Sequence, residues 1–396
     1  MERLVKYLDG LPTSEPAVRK PFELGNAAMD AYEWDMAIRH FREAVKAAKK
    51  IQLVALLNLI GLCDYMSGRP DDALRNHEES AVLAEQCGDQ EGKAADFGNI
   101  GNMYRAKGEP DKALEYLEEA LAIDRRIGYQ PEVANQLGNI GNIYSAKGEH
   151  DKALRYFGEA LAIGREIGYQ QGVANQLGNI GNVYSAKGEH DKALKFLEKA
   201  LAISREIGYQ QGVANQLGDI GLIHSAKGEP DEALKYYDEA LAIDREIGHK
   251  HGVASQLGNI GLIYRAKGEP DRELMYCGEA LASYREIGYQ PGVASAIGNI
   301  GNAYVWAMQR KTAGPHASAR NNQAYWLAEK AIDHLVPALG MLLEMGIADG
   351  PSQCLWGLGE CCKAVGREDF VTMCVKAGMA KEQAEGLAEA RSKATE

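Results

Sequence analysis

Residues 131–170 read PEVANQLGNIGNIYSAKGEHDKALRYFGEALAIGREIGYQ. Residues 171–210 repeat them with nine substitutions, so 31 of 40 positions are identical. The phrase LGNIGxxYxAKGExDxALxYxxEALAIxREIGYQ can be followed, with drift, from about Asp96 to Gln290, and fainter copies lie on both sides. Gly25, Gly61, Gly101, Gly141, Gly181, Gly221, Gly261 and Gly301 hold one register, spaced by 36 once and by 40 thereafter. A fixed period of this length marks an array of stacked units, each unable to bury its apolar face alone.

Each unit reads as two helices. In the quoted stretch the first is expected over roughly Val133 to Ala146, because Leu137, Ile140, Gly141 and Tyr144 fall on one helical face. Gly148 breaks it. The second is expected from near Asp151 to about Ile167, with Ala153, Leu154, Phe157, Ala160 and Leu161 as its stripe. Asp151 suits the positive end of the helix dipole, and sister units place Pro110, Pro230 and Pro270 just ahead of that Asp, in the first turn. Gly168 is expected to close the helix in the left-handed conformation. Gly141 and Ala153 are expected where the two helices cross.

These residues carry a resemblance. Leu137, Ile140, Gly141, Tyr144, Ala153, Phe157 and Ala160 stand at the offsets of the tetratricopeptide repeat. The terminal proline of that repeat is missing, the second helix is longer, and the unit has 40 residues. This variant is similar to the repeats of kinesin light chains and of the Leu-Gly-Asn spindle-orientation adaptors, over about residues 20 to 385. The resemblance implies an all-α, right-handed superhelical solenoid of antiparallel helix pairs, about nine units long. It also implies that the first helix of each unit lines a concave groove that grips an extended peptide. The pattern departs at Asp64, His224, Glu273, Cys277 and His77, where looser packing is expected.

The array divides into an N-terminal capping segment (1–19), tandem pairs (20–308) and an irregular C-terminal part (309–396). In the last part a long connection is expected around Thr312–Ala319, with Gly314-Pro315 as its turn. A helix over roughly Asn322–Met345 follows, then a pair over Pro351–Val365 and Asp369–Glu389.

Composition limits the function. The chain has 396 residues, 44 basic and 56 acidic, for a formal charge of −12. That charge repels a phosphate backbone, and the groove has no regularly placed Lys or Arg, so nucleic-acid binding is disfavoured. No signal peptide and no membrane-spanning stretch is read. Seven irregularly spaced cysteines point to a reducing, cytoplasmic setting rather than a disulfide framework.

By register with Gly141, the groove face carries Asn139 and Asn142, and recurs as Asn99 with Asn102, Asn179 with Asn182, Asn259, and Asn299 with Asn302. An amide side chain both donates and accepts, so such a ladder can bond the backbone of an extended peptide whatever its side chains are. Polar contacts within and between repeats are the competing reading, above all for Asn135, Asn175 and Asn215 near the helix starts. Gly98, Gly138, Gly178, Gly218, Gly258 and Gly298 beside the ladder are expected to let a ligand backbone come close. Arg105 and Arg265 replace Ser145, Ser185 and Ser225; pairing with an acidic ligand residue and plain solvation are both open. Leu222 and Leu262 replace the last Asn, as an apolar anchor site or as contacts for the next helix.

Nothing reads as catalytic. Cys354, Cys361, Cys362 and Cys374 lack the paired spacing of a zinc site and read as small apolar packing. The histidines are scattered, and no HExxH, Walker or GxSxG motif occurs. Arg310, Lys311, His316 and Arg320 form one basic island in the irregular connection. A non-enzymatic scaffold binding an extended peptide or protein segment follows, without metal or cofactor. A peptide-sensing repeat domain is the alternative, and self-association is left open.

Overall fold

The structure is a computed structural model, and it describes residues 16–30, 33–67, 69–312, 322–345 and 350–393. Most of the expected N-terminal cap, the Gly314-Pro315 turn and the basic island lie outside the described residues or side chains. The chain forms two compact units, 1–207 and 208–396.

In the first unit the helices are α1 (Pro16–Asp30), α2 (Trp34–Val45), α3 (Lys50–Met66), α4 (Pro70–Cys87), α5 (Gln90–Ala106), α6 (Pro110–Ile127), α7 (Gln130–Ala146), α8 (His150–Glu166), α9 (Gln170–Ala186) and α10 (His190–Glu206). Each packs against the next in sequence. Pro70 and Pro110 occupy the first turns of α4 and α6, where a missing N–H costs nothing. The second helix of the quoted unit, α8, ends as expected. Gly168 takes φ +70°. Its N–H reaches Arg165 O at 3.3 Å and the Tyr169 N–H reaches Gly164 O at 2.8 Å, the paired closure that satisfies two terminal carbonyls.

The core is handed from repeat to repeat. Leu117 and Leu121 of α6 pack with Leu137, Ile140 and Ile143 of α7 and with Ala160 of α8. Phe157 and Leu161 of α8 then pack with Leu177, Ile180 and Val183 of α9 and Ala200 of α10. The register glycines permit the close approach. A Cβ on Gly141 would lie 2.6 Å from the Phe157 ring, and one on Gly181 would lie 2.8 Å from Leu197 Cγ and 3.2 Å from the Ala193 carbonyl. Because the backbone of α10 cannot yield as a side-chain tip can, Gly181→Val is expected to cost about 1–3 kcal/mol. Chemical denaturation monitored by circular dichroism reads that loss.

On the outside, Lys107, Lys147 and Lys187 reach back to Asp71, Asp111 and Asp151 at 2.7, 2.9 and 3.3 Å. The Lys107 ammonium holds the Asp71 carboxyl below its ordinary range. Such exposed pairs add little stability.

The second unit contains α11 (Gln210–Ala226), α12 (Pro230–Glu246), α13 (Lys250–Lys267), α14 (Pro270–Glu286), α15 (Gln290–Thr312), α16 (Asn322–Glu344), α17 (Gly350–Val365), α18 (Arg367–Lys376) and α19 (Lys381–Lys393). Here α15 runs past 308, the expected end of the tandem pairs. The helix expected over Asp369–Glu389 is two helices. Gly378 takes φ +102°, and the Met379 N–H turns back to Cys374 O at 2.9 Å. That reversal lets Phe370, Met373, Cys374, Ala384 and Ala388 enter one core with α15, α16 and α17.

The departures from the repeat pattern are not loose, contrary to expectation, except at Cys277. Polar partners replace the missing apolar contacts. Buried Asp64 accepts from Arg69 Nε and from Asn76 Nδ2, both at 2.8 Å. His224 stacks on Tyr236 with ring centroids 5.1 Å apart and meets Glu229 at 2.6 Å. Buried Glu273 is met by Arg265, and buried His77 by Asp96.

Candidate peptide-binding face

Within the first unit the first helices of successive repeats, α3, α5, α7 and α9, touch their neighbours one repeat away. Within the second, α11, α13 and α15 do the same. Each unit therefore presents a rank of first helices, and the amide ladder lies on them.

In the first unit Asn99, Asn102, Asn139, Asn142 and Asn179 are half-buried, while Asn182, Asn135 and Arg105 are exposed. The Oδ1 of Asn102 is buried without a hydrogen-bond partner. Asn179 donates to Gln176 Oε1 in a long bond of 3.4 Å. In the second unit Leu222 and Leu262 are 49% and 39% exposed on touching helices, too open to be contacts of a neighbouring helix alone. Asn259 and Asn299 are half-buried.

Two expected members are taken up internally. Asn302 is 7% exposed, and its Oδ1 lies 2.7 Å from where Gly357 of α17 would carry a Cβ. Helix α17 covers it, so it is not on the open face. Arg265 donates through Nε to Glu273 Oε1 at 2.5 Å and through Nη2 to the Asn299 carbonyl at 3.0 Å. It neutralises a buried carboxylate of its own chain instead of waiting for one from a ligand. Burial pushes the Glu273 carboxyl above the ordinary range, and Arg265 opposes that.

Three of the glycines beside the ladder, Gly98, Gly138 and Gly218, have a different use from the one expected. A Cβ on Gly98 would sit 2.8 Å from Gln136 Nε2, on Gly138 2.8 Å from Gln176 Nε2, and on Gly218 2.9 Å from Gln256 Nε2. Each glutamine is buried and comes from the next first helix along. The glycine is the seat and the glutamine is the key that fills it. Gln136 Nε2 also reaches Asp124 Oδ2, at 3.4 Å. At the interface of α3 and α5 the same two positions hold Asn58 and Asp96, joined by a bond of 2.6 Å. Sequence reading passed over these residues, although a polar residue recurring at a fixed register beside Leu137 was the available signal.

The seat at Gly258 has no key. Position 296 carries Ala where the register places Gln, and a Cβ on Gly258 would meet nothing within 4 Å. A cavity of about 100 Å³ opens there, bounded by Gly258, Asn259, Leu262, Cys277, Tyr284 and Asn299 among others. Cys277, standing where Phe157 and Tyr237 stand in sister repeats, enlarges it. This is where looser packing is realised.

The C-terminal cysteines lie in the core of the second unit. Cys354, Cys361 and Cys374 are buried among Leu335, Leu358 and Phe370. Burial raises the Cys354 thiol to about 11 and the Cys374 thiol to about 12, which suppresses the thiolate that ligates or attacks. Among the described residues no group of three or more His, Cys, Asp and Glu is placed to hold a metal ion, and no helix is long and apolar enough to cross a membrane.

Consecutive helix pairs of fixed register, with ranked first helices, define a helical-repeat protein. The family model of the tetratricopeptide repeat matches residues 52–126, 132–206, 170–246 and 212–286, more than half of the chain. The chain belongs to the tetratricopeptide repeat family. No curated protein matches it. Among solved structures it is similar to the apo form of RapI at 16% identity, covering 68% of this chain and 98% of that one, with a TM-score of 0.56. It is also similar to a Rap protein complexed with competence and sporulation factor, at 15% identity, 91% and 100% coverage and a TM-score of 0.54. A third is the STAND protein with a tetratricopeptide repeat sensor, PH0952 from Pyrococcus horikoshii. That match has 16% identity, covers 98% of this chain and 53% of that one, and has a TM-score of 0.55. At these identities the likeness is one of fold.

Proposed function

We propose that this protein is a non-enzymatic interaction scaffold that holds an extended segment of a partner polypeptide against the first helices of its repeats. The observation that carries this reading is an amide repeated at two registers of touching helices, Asn99, Asn139 and Asn179 at one and Asn102, Asn142 and Asn182 at the other, all half-buried or exposed. Each can pair with a peptide N–H or C=O, so affinity accumulates along a backbone without a fixed sequence. Leu222 and Leu262 add an apolar contact in the second unit. The net charge of −12 favours a neutral or basic partner. A protein of similar fold, Rap, is described in complex with competence and sporulation factor, which supports ligand holding by this architecture.

The test is affinity capture from a source-cell lysate, comparing the wild type with a variant in which Asn139, Asn142, Asn179 and Asn182 are all changed to Ala. Circular dichroism first establishes that the variant is folded. Loss of at least one specifically retained protein is the expected result. Identical retention by both forms assigns the amides to the array itself and removes the proposal.

A further inference from the structure

The empty seat at Gly258 follows from a comparison the protein makes with itself. At Gly98, Gly138 and Gly218 the space above the glycine is filled by the side-chain amide of a glutamine from the next repeat. At Asn58 the same place is filled by a carboxylate, Asp96. At Gly258 the residue in register is Ala296, and a cavity of about 100 Å³ remains. A cavity needs about 10–15 Å³ to hold one water, so this one is roomy enough for an amide on a short methylene stem.

Its walls keep the chemistry of the filled seats. The glycine floor is retained, Asn259 and Asn299 stand where Asn99 and Asn139 stand beside Gly98 and Gln136, and Ala280 matches Ala120. Tyr284 stands at the register position of Asp124, whose carboxylate faces Gln136 in a filled seat. Exposed Leu262, on a first helix, is among the cavity's lining residues. Ser255, Asn259, Ser295 and Asn299 give the lining a polar character, and a primary amide offers such a lining both a donor and an acceptor, which an apolar side chain does not.

We infer that this cavity is a specificity socket for a primary-amide side chain, a glutamine or asparagine presented by the bound segment, which takes the place of the missing intramolecular glutamine. This deepens the scaffold reading and rests on it, because the side chain must arrive on a polypeptide lying along the first helices.

The socket is tested with a heptapeptide, acetyl-Gly-Ala-Ala-X-Ala-Ala-Gly-methylamide, in which X carries the one primary amide when it is glutamine. Saturation-transfer NMR on the full chain compares X as glutamine, leucine and glutamate. Glutamine is expected to bind about five- to tenfold more tightly than leucine. Ala296→Gln supplies the chain's own key and is expected to abolish that preference. Gly258→Val puts its Cβ into open space, since nothing lies within 4 Å of it, and its γ-carbons into the cavity, and is expected to do the same if the first variant misfolds. Equal binding of the three peptides, absence of binding by all of them, or a glutamine preference that survives in a folded variant each overturns the socket. These outcomes are separate from the capture experiment, which alters only the first unit. A lost partner there with no glutamine preference here leaves the scaffold and removes the socket. An unchanged partner set there with a variant-sensitive preference here removes the asparagine ladder of the first unit and leaves polypeptide holding, with its socket, on the first helices of the second.

Discussion

Arg265→Ser is expected to destabilise the second unit by about 3 kcal/mol, although serine is the residue that Ser145, Ser185 and Ser225 place at this position in sister repeats. The cost comes from the partner. Glu273 is 0% exposed, and Arg265, with 27% of its side chain exposed, is the cation bonded to it. Removing Arg265 leaves a carboxylate without charge compensation in the interior, and it also frees the Asn299 carbonyl. Sister repeats avoid the problem because Ala113, Ala153, Ala193 and Ala233 stand where Glu273 stands. The double variant Arg265→Ser with Glu273→Ala therefore recovers most of the loss. Native-state hydrogen exchange across α13 to α15 reads the local stability directly. The pH dependence has a defined sign. Burial raises the Glu273 carboxyl above its unfolded value, so its contribution is fully present below that value and is lost as pH rises through the raised one. Without Arg265 the pKa rises further. The deficit of the single variant relative to the double is expected to be smaller at pH 5 than at pH 8. A deficit independent of pH would show that the loss is one of packing.

How far the sequence was legible follows from what each residue depends on. Helix limits in the quoted unit were readable to within a few residues, because Gly148, Gly168 and the apolar stripes are local signals. So was the crossing at Gly141, since a glycine at constant register in an apolar stripe asks for close approach. The polar residues could not be read one at a time. Glu273 looked like a defect in an apolar position, and its partner Arg265 looked like a groove residue, because their contact joins different helices. Gly98 and Gly138 looked like openings for a ligand, although Gln136 and Gln176 fill them. In each case the meaning of a residue lies in its neighbour one repeat away. The break at Gly378 was missed for another reason: a single glycine in a polar amphipathic run does not by itself say whether the chain turns.

His77→Phe is expected to lower the stability of the first unit by about 2 kcal/mol, even though Phe157 occupies the same position in a sister repeat. Judged by the repeat pattern alone, the substitution restores an aromatic and should help. The structure makes the opposite prediction. His77 Nδ1 lies 3.1 Å from Asp96 Oδ1, and Asp96, which is 0% exposed, also accepts from Asn58 Nδ2 at 2.6 Å. Phenylalanine removes one of these partners and leaves the other to hold a buried carboxyl that desolvation already pushes upward. The raised carboxyl again fixes the sign, so the loss is expected to deepen from pH 5 to pH 8. Thermal unfolding at the two values measures it. The rescue identifies the cause. Asn58→Gly, His77→Phe and Asp96→Gln together rebuild the set that Gly138, Phe157 and Gln176 form intact in the middle of the array, so the triple variant is expected to be at least as stable as the wild type. A single His77→Phe variant more stable than the wild type would show that the aromatic position acts independently of the seat beside it. The rescue would establish that the seat, its key and the residue behind it vary as one unit. On that rule the chain can carry a closed amide seat in one repeat, an acidic one in another and an open one at Gly258 without altering the array that holds them.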